Sequence, residues 1–284
     1  MSLSSLNLDA FFACARAGHF TRAAKSLAIT QSALSQRISN LEEELGTSVF
    51  VRERAGLRLT PAGEELLRFC AAKESLEQEL VGRVKQPDDK SLQGSVRIGG
   101  FSSVMRSIAL PSLAPLLSGN PEVALTLISK EMDELPNLLR RGEIDYLILY
   151  EELIRDGIES IFLGEEANTL IEKRGYNGPD LFLDHDENDQ TTTKYLRLKR
   201  KKGSVKRRYL DDVYGLIDGV KQGLGRAVVP IHLIHGEREL STPDRGTILN
   251  IPVYLHFYHQ PFYTQLHQRV VDSLKVGFRK CLAP

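Results

Sequence analysis

The chain has 284 residues, 42% hydrophobic and 26% charged, enough for two or three globular domains with real cores. Its 37 basic residues balance 37 acidic ones, which excludes a uniformly basic coat and confines any nucleic-acid surface to a local patch. With no run near the ~18 apolar residues of a membrane span, no signal-peptide pattern in Met1-Ser2-Leu3-Ser4-Ser5, and Cys14, Cys70 and Cys281 scattered, the expectation is a cytoplasmic protein with no membrane partner.

Leu6, Phe11, Phe12 and Ala15 predict a first helix ending near Gly18. Thr21 is placed to cap a second, with Ala23, Ala24 and Leu27 inward. After a break at Ala28-Ile29, Thr30 caps a third helix and Gly46 ends it. Leu34, Ile38, Leu41 and Leu45 recur at i, i+4, i+7 and i+11 and form its apolar face. The other face carries Gln31, Ser32, Ser35, Gln36 and Arg37. These short or forked hydrogen-bonding groups suit base edges and phosphates in a major groove, although a plain solvated face would look alike in isolation. Two helices joined by a tight turn, the second presenting such a face, make a helix-turn-helix pattern. Short strands around a turn at Arg54-Ala55-Gly56 then predict a two-stranded wing. It groups Arg52, Arg54 and Arg58, which either serve the phosphate backbone or solubilise the surface.

Thr60-Pro61 is a helix start, with proline where its missing N–H costs nothing. From Ala62 to Val84 no proline intervenes, and Leu66, Phe69, Leu76 and Leu80 keep a 3–4 spacing interrupted at Lys73. That sticky face must pack on its own domain or on a second copy. Gln86-Pro87-Asp88-Asp89-Lys90 reads as a linker. Beyond it, strands at Ser95 to Gly100, Val123 to Ile128 and Ile144 to Tyr150 alternate with helical stretches, implying a parallel sheet with crossover helices. Ligands of such sheets sit beyond the carboxyl ends of the strands, at Gly100 to Ser103 and Lys130 to Met132. Later, Asp211 or Asp212 caps a helix, Arg226 to Pro230 forms a buried strand, and a last helix runs from Tyr263 to Cys281.

Residues 6–66 resemble the DNA-binding domain of LysR-type transcriptional regulators, through Phe20-Thr21-Arg22-Ala23-Ala24, Thr30-Gln31-Ser32-Ala33-Leu34-Ser35-Gln36-Arg37-Ile38, Leu41-Glu42-Glu43-Glu44-Leu45-Gly46, Val49-Phe50 and Leu59-Thr60-Pro61-Ala62-Gly63. Weaker matches at Leu138 to Asp145 and Gly223 to Pro230 resemble the family's effector domain. Gly203-Ser204-Val205 and Pro230-Ile231-His232-Leu233 resemble its arginine/lysine-responsive regulators of amino-acid export. The resemblance implies an α+β chain in three parts. A winged helix-turn-helix takes 1–60, and a linker and dimerisation helix with its hinge takes 61–90. A periplasmic-binding-protein-like α/β effector domain takes 91–284, with subdomain I at 91–163 and 252–284 and subdomain II at 164–251. It also implies a regulator of promoter DNA modulated by a small molecule. Thr30, Gln31, Ser32, Ser35, Gln36, Arg37, Arg52, Arg54 and Arg58 would meet double-stranded DNA. Leu66, Phe69, Leu76 and Leu80 would pair two copies into a homodimer or tetramer, with RNA polymerase a further partner at the promoter.

Two features depart from the family. Residues 194–208 hold nine basic residues and no acidic one, expected as a solvated hairpin or an extra phosphate-contacting or anion-binding patch. Asp211-Asp212 stands where small hydroxyl residues are common, so a carboxylate there caps a helix or meets a cationic effector. The second reading suits a basic amino acid. Ser102, Ser103, Lys130, Met132 and Asp212 are the expected contacts of the effector, an amino acid or a small carboxylate. No nucleophile, base and orienting group are arranged by spacing, and the histidines, including His185 among Asp180, Asp184, Asp186 and Asp189, lack metal-ligand spacing. Neither catalysis nor a cofactor or metal is expected. The rival reading is a small-molecule-binding protein with a degenerate DNA-binding head.

Overall fold

The computed structural model describes residues 3–53, 56–85, 91–200, 205–244 and 246–282. Three helices open the chain: α1 (Ser5–Ala17), α2 (Phe20–Ser26) and α3 (Gln31–Leu45). Gly18 and Gly46 stop α1 and α3 in the left-handed conformation, at φ 64° and 67°, where a Cβ would be strained. The Thr30 hydroxyl accepts the Ala33 N–H and starts α3. Thr21 does not cap α2. The His19 imidazole accepts the Thr21 N–H, and Thr21 already lies inside the helix. The wing strands β1 (Phe50–Glu53) and β2 (Gly56–Leu59) pair antiparallel. Phe50 rests against Phe11 and Phe20, with centroids 5.2 and 6.3 Å apart, which seats the wing on the head's core.

Helix α4 (Pro61–Lys85) leaves the wing with Glu64 in its first turn. Its apolar residues divide between two faces. Phe69, Leu76 and Leu80 are exposed, whereas Leu66, Leu67 and Cys70 fill the head's core. Leu66 therefore does not belong with the outward stripe. At about 100° per residue it sits about 60° from Phe69, on the side of Leu67 and Cys70.

The second half is built on β3 (Gly94–Gly100), β4 (Val123–Ser129) and β5 (Tyr146–Leu149), parallel with β3 central. The crossovers are α5 (Ser102–Val104), continued by a π turn (Met105–Ala109) and α6 (Leu110–Ser118), and then α7 (Leu135–Arg140). Parallel neighbours joined through helices are the arrangement expected of such alternation. The long strand β6 (Ile158–Lys173) then carries the chain into a second lobe, and β11 (Leu249–Tyr258) brings it back antiparallel. That lobe holds β7 (Leu181–Asp184), α8 (Thr191–Leu198), β8 (Lys206–Tyr209), α9 (Val213–Lys221), β9 (Ala227–Pro230) and β10 (Leu240–Ser241). The sheet order is β10-β6-β11-β5-β3-β4, with β9 also on β6. Helix α10 (Gln265–Cys281), capped by Thr264, lays Val270, Leu274 and Phe278 on the first lobe. Gly277 lets it approach α6 closely, since a Cβ there would lie 1.7 Å from Ser112 Oγ.

The basic run is not a hairpin. Its start lies in α8 and its end in β8, which is parallel to β7; residues 201–204 lie outside the described part.

Two histidines are structural. His256 is fully buried between Ser160 Oγ and the Glu151 carbonyl, at 2.8 and 3.0 Å, and His267 meets Tyr146 OH at 2.9 Å. Burial pulls each imidazole down from 6.5 to about 4. Between those values the unfolded chain binds more protons, so stability falls as pH drops from about 6.5 towards 4. Fully titrated, His256 alone should cost about 3 kcal/mol, with His267 contributing less because it is partly exposed. Urea unfolding followed across that window should show the decline, and a flat profile would contradict it.

Candidate functional site

The head presents the polar face of α3 to solvent. Gln31, Ser32 and Gln36 are exposed, and Ser35 and Arg37 are half-buried. Several are pre-oriented by neighbours. Thr21 Oγ1 donates to Gln31 Oε1 at 3.2 Å, Gln36 Nε2 donates to Asn40 at 2.8 Å, and Thr30 and Ser32 hydroxyls lie 3.0 Å apart. Thr30 thus serves first as the cap. Beneath, Leu34, Ile38 and Leu41 are buried, while Leu45 at the helix end is 36% exposed. Glu42 accepts the Val49 N–H at 2.8 Å, fixing the wing relative to α3. In the wing, Arg58 is exposed on β2; Arg54 and the side chain of Arg52 lie outside the described residues.

The second candidate lies where the two lobes meet at the carboxyl end of β3. The fully buried Glu166 of β6 is its centre. Its Oε2 accepts Tyr150 OH at 2.7 Å, and its Oε1 is 2.8 Å from His232 Nε2 and 3.4 Å from Ser103 Oγ. Burial, and then the Glu166 charge, hold the Tyr150 phenol well above its ordinary range, so it stays a donor. His232 Nδ1 lies 3.0 Å from Ser107 Oγ on the π turn, the kind of helix irregularity that often marks a functional site. Ser102 Oγ reaches Asp212 Oδ1 at 3.4 Å while Asp212 Oδ2 accepts the Gly215 N–H as the α9 cap. Arg106 stacks on Tyr214 at 4.3 Å.

Of the five effector residues read from sequence, the structure brings Ser102, Ser103 and Asp212 into this network. Lys130 and Met132 stay on the loop after β4. Lys130 faces Glu134 at 3.5 Å, and Met132 packs beside Leu135 and Leu139. His185 faces Glu131 of the other lobe at 4.0 Å. Tyr150, Glu166 and Ser107 were missed because no local pattern marks a buried polar residue. His232 stands in a stretch that carried the resemblance, without a role attached.

Comparison with known proteins gives this geometry a family. Residues 6–64 match the bacterial regulatory helix-turn-helix protein, lysR family, and residues 89–278 match the LysR substrate binding domain. The chain belongs to the LysR family. This LysR-type transcriptional regulator is 29% identical over 249 residues to the regulator ArgP of Photobacterium profundum, covering 82% of this chain and 80% of that one. It is 33% identical over 174 residues to HdfR of Yersinia enterocolitica, a match spanning 61% of this chain and only 58% of that protein. Its fold is similar to ArgP from Mycobacterium tuberculosis, with TM-score 0.79, 22% identity and 99% of both chains covered. It is also similar to full-length LysG from Corynebacterium glutamicum with bound effector Arg, with TM-score 0.77, 21% identity and coverage of 99% and 100%.

The burial of α3 yields a direct test. Leu34→Ala should cost about 2–5 kcal/mol. Leu45→Ala should cost well under half of that, since Leu45 is already partly solvated. Equal shifts of the two urea midpoints would contradict the stated packing.

Proposed function

We propose that two or more copies of this regulator bind promoter DNA together. Gln31, Ser32, Ser35, Gln36 and Arg37 read base edges, while Thr30, Arg52, Arg54 and Arg58 hold phosphates. One recognition helix reads too few base pairs, so α4 pairs copies through Phe69, Leu76 and Leu80, whose exposure on one stripe supports that role. We read the chain as a regulator without catalytic activity, in keeping with its family.

The effector is a small molecule bearing a positive charge, and an amino acid fits best. The observation that carries this reading is the pair of carboxylates, Glu166 and Asp212, that meet Ser103 and Ser102 from across the lobes. The description of LysG with bound arginine supports the same class. The lobes, 91–163 with 252–284 and 164–251, rock about the β6–β11 crossing. There the register shifts between Val253 and Tyr254, leaving Leu163 without a partner on β11. Effector binding alters promoter occupancy only by favouring one lobe arrangement over the other.

Footprinting on the intergenic DNA beside the gene should show two protected half-sites, and Arg37→Ala should weaken specific binding more than binding to unrelated duplex. Equal loss on all DNA would make Arg37 a phosphate contact only. Calorimetry with arginine, lysine and simple carboxylates should give heat with a basic amino acid. Asp212→Asn, which keeps the helix cap, should weaken that binding about tenfold or more. Heat from an anion and none from any amino acid would overturn the cationic effector.

A further inference from the structure

The DNA-binding reading leaves one strongly charged surface without a role. Nine basic residues fall within 194–208 of a chain whose total charge is zero. The structure separates those used internally from those that are not. Arg207 points inward to Asp184 at 2.8 Å and to Thr193 at 2.6 Å. Lys199 pairs with Asp244, and Arg208 donates to the Leu224 carbonyl at 2.9 Å. Lys194, Arg197, Arg200 and Lys206 are exposed, and none has an acidic partner among the described residues.

Their placement is ordered. Thr192, Tyr195 and Leu196 bury one side of α8. At about 100° per residue, Lys194 and Arg197 point from the opposite side. Along β8 successive side chains alternate; Arg207 turns to Thr193 of α8, so Lys206 leaves the strand on the opposite face and lies apart from the α8 cations. Leu198 at the end of α8 is exposed as well. Unneutralised like charges repel, and a surface this one-sided is stabilised when it meets a polyanion. The regulator already holds one polyanion, its operator duplex.

We propose that the outer face of α8, with Lys194, Arg197 and the following Arg200, is a second, sequence-independent contact with the phosphate backbone of the same DNA. The proposal rests on the DNA-binding reading and adds to it. Sequence selection stays with α3, while the second lobe contributes affinity and fixes the path of the duplex as it leaves the recognition helices.

The test uses the full chain with Lys194→Gln, Arg197→Gln and Arg200→Gln combined. All three residues are exposed, so circular dichroism and the urea midpoint should match wild type. Binding to a promoter-length duplex is then measured over a salt series. Removing one cation from a phosphate makes the slope of log K against log salt shallower by about 0.9, so the variant's slope should become shallower by roughly 1 to 3 with the half-sites still protected. A companion variant exchanging Lys for Arg and Arg for Lys at these positions should keep the wild-type slope. A wild-type slope in the glutamine variant overturns the proposal and leaves the face to an acidic protein surface. A wild-type chain that protects no half-sites overturns the DNA-binding reading itself, and this contact with it.

Discussion

The effector half depends on one antiparallel ladder. β6 and β11 run side by side from Ile158 opposite Tyr258 to Asn168 opposite Leu249. At one end the ladder joins β5 and the parallel sheet; at the other β6 continues alone to carry β9 and β10. Each lobe's apolar cores are therefore assembled on strands that also belong to the other lobe. The register shift beside Val253 is the one interruption in that pairing. A ladder that is continuous except at one point resists shear along the strands and yields most easily there.

The same arrangement explains how a carboxylate is held where the lobes meet. A carboxylate as deeply buried as Glu166 is costly unless its oxygens are satisfied. Tyr150, Ser103 and His232 meet that demand, drawn from the end of β5, α5 and the turn after β9. Because the donors come from both lobes, the hydrogen-bond network that stabilises the carboxylate also ties the lobes together.

The head was largely legible in the sequence. Its helices are set by local chemistry: left-handed glycines at 18 and 46, a threonine cap at 30, and an apolar stripe whose period matches the helix. Where local reasoning erred, a longer-range contact or a neighbouring side chain decided. Leu66 was drawn off the outer stripe by the core it borders, and His19 took the cap assigned to Thr21. The lobes were harder to read. β6 and β11 bury residues on both faces for part of their length, so they lack a clean polar–apolar alternation, and the sequence marked them only as the borders between the two subdomains. The basic run read as a hairpin because charge hides that Tyr195 and Leu196 are core residues. The Glu166 cluster was illegible because a buried glutamate is defined by donors distant in sequence.

The contacts of α4 carry a final consequence. Glu64 faces both Arg140 and Arg155, at 3.6 and 2.7 Å, Arg68 lies over the ring of Tyr258, and Glu79 accepts the Gln265 N–H. All of these partners belong to the first lobe, while the other side of the same helix is embedded in the DNA-binding head through Leu66, Leu67 and Cys70. One helix thus ties the DNA-binding head to the first lobe along both of its sides, so a strain applied to either is passed to the other through α4 without a slack joint between them.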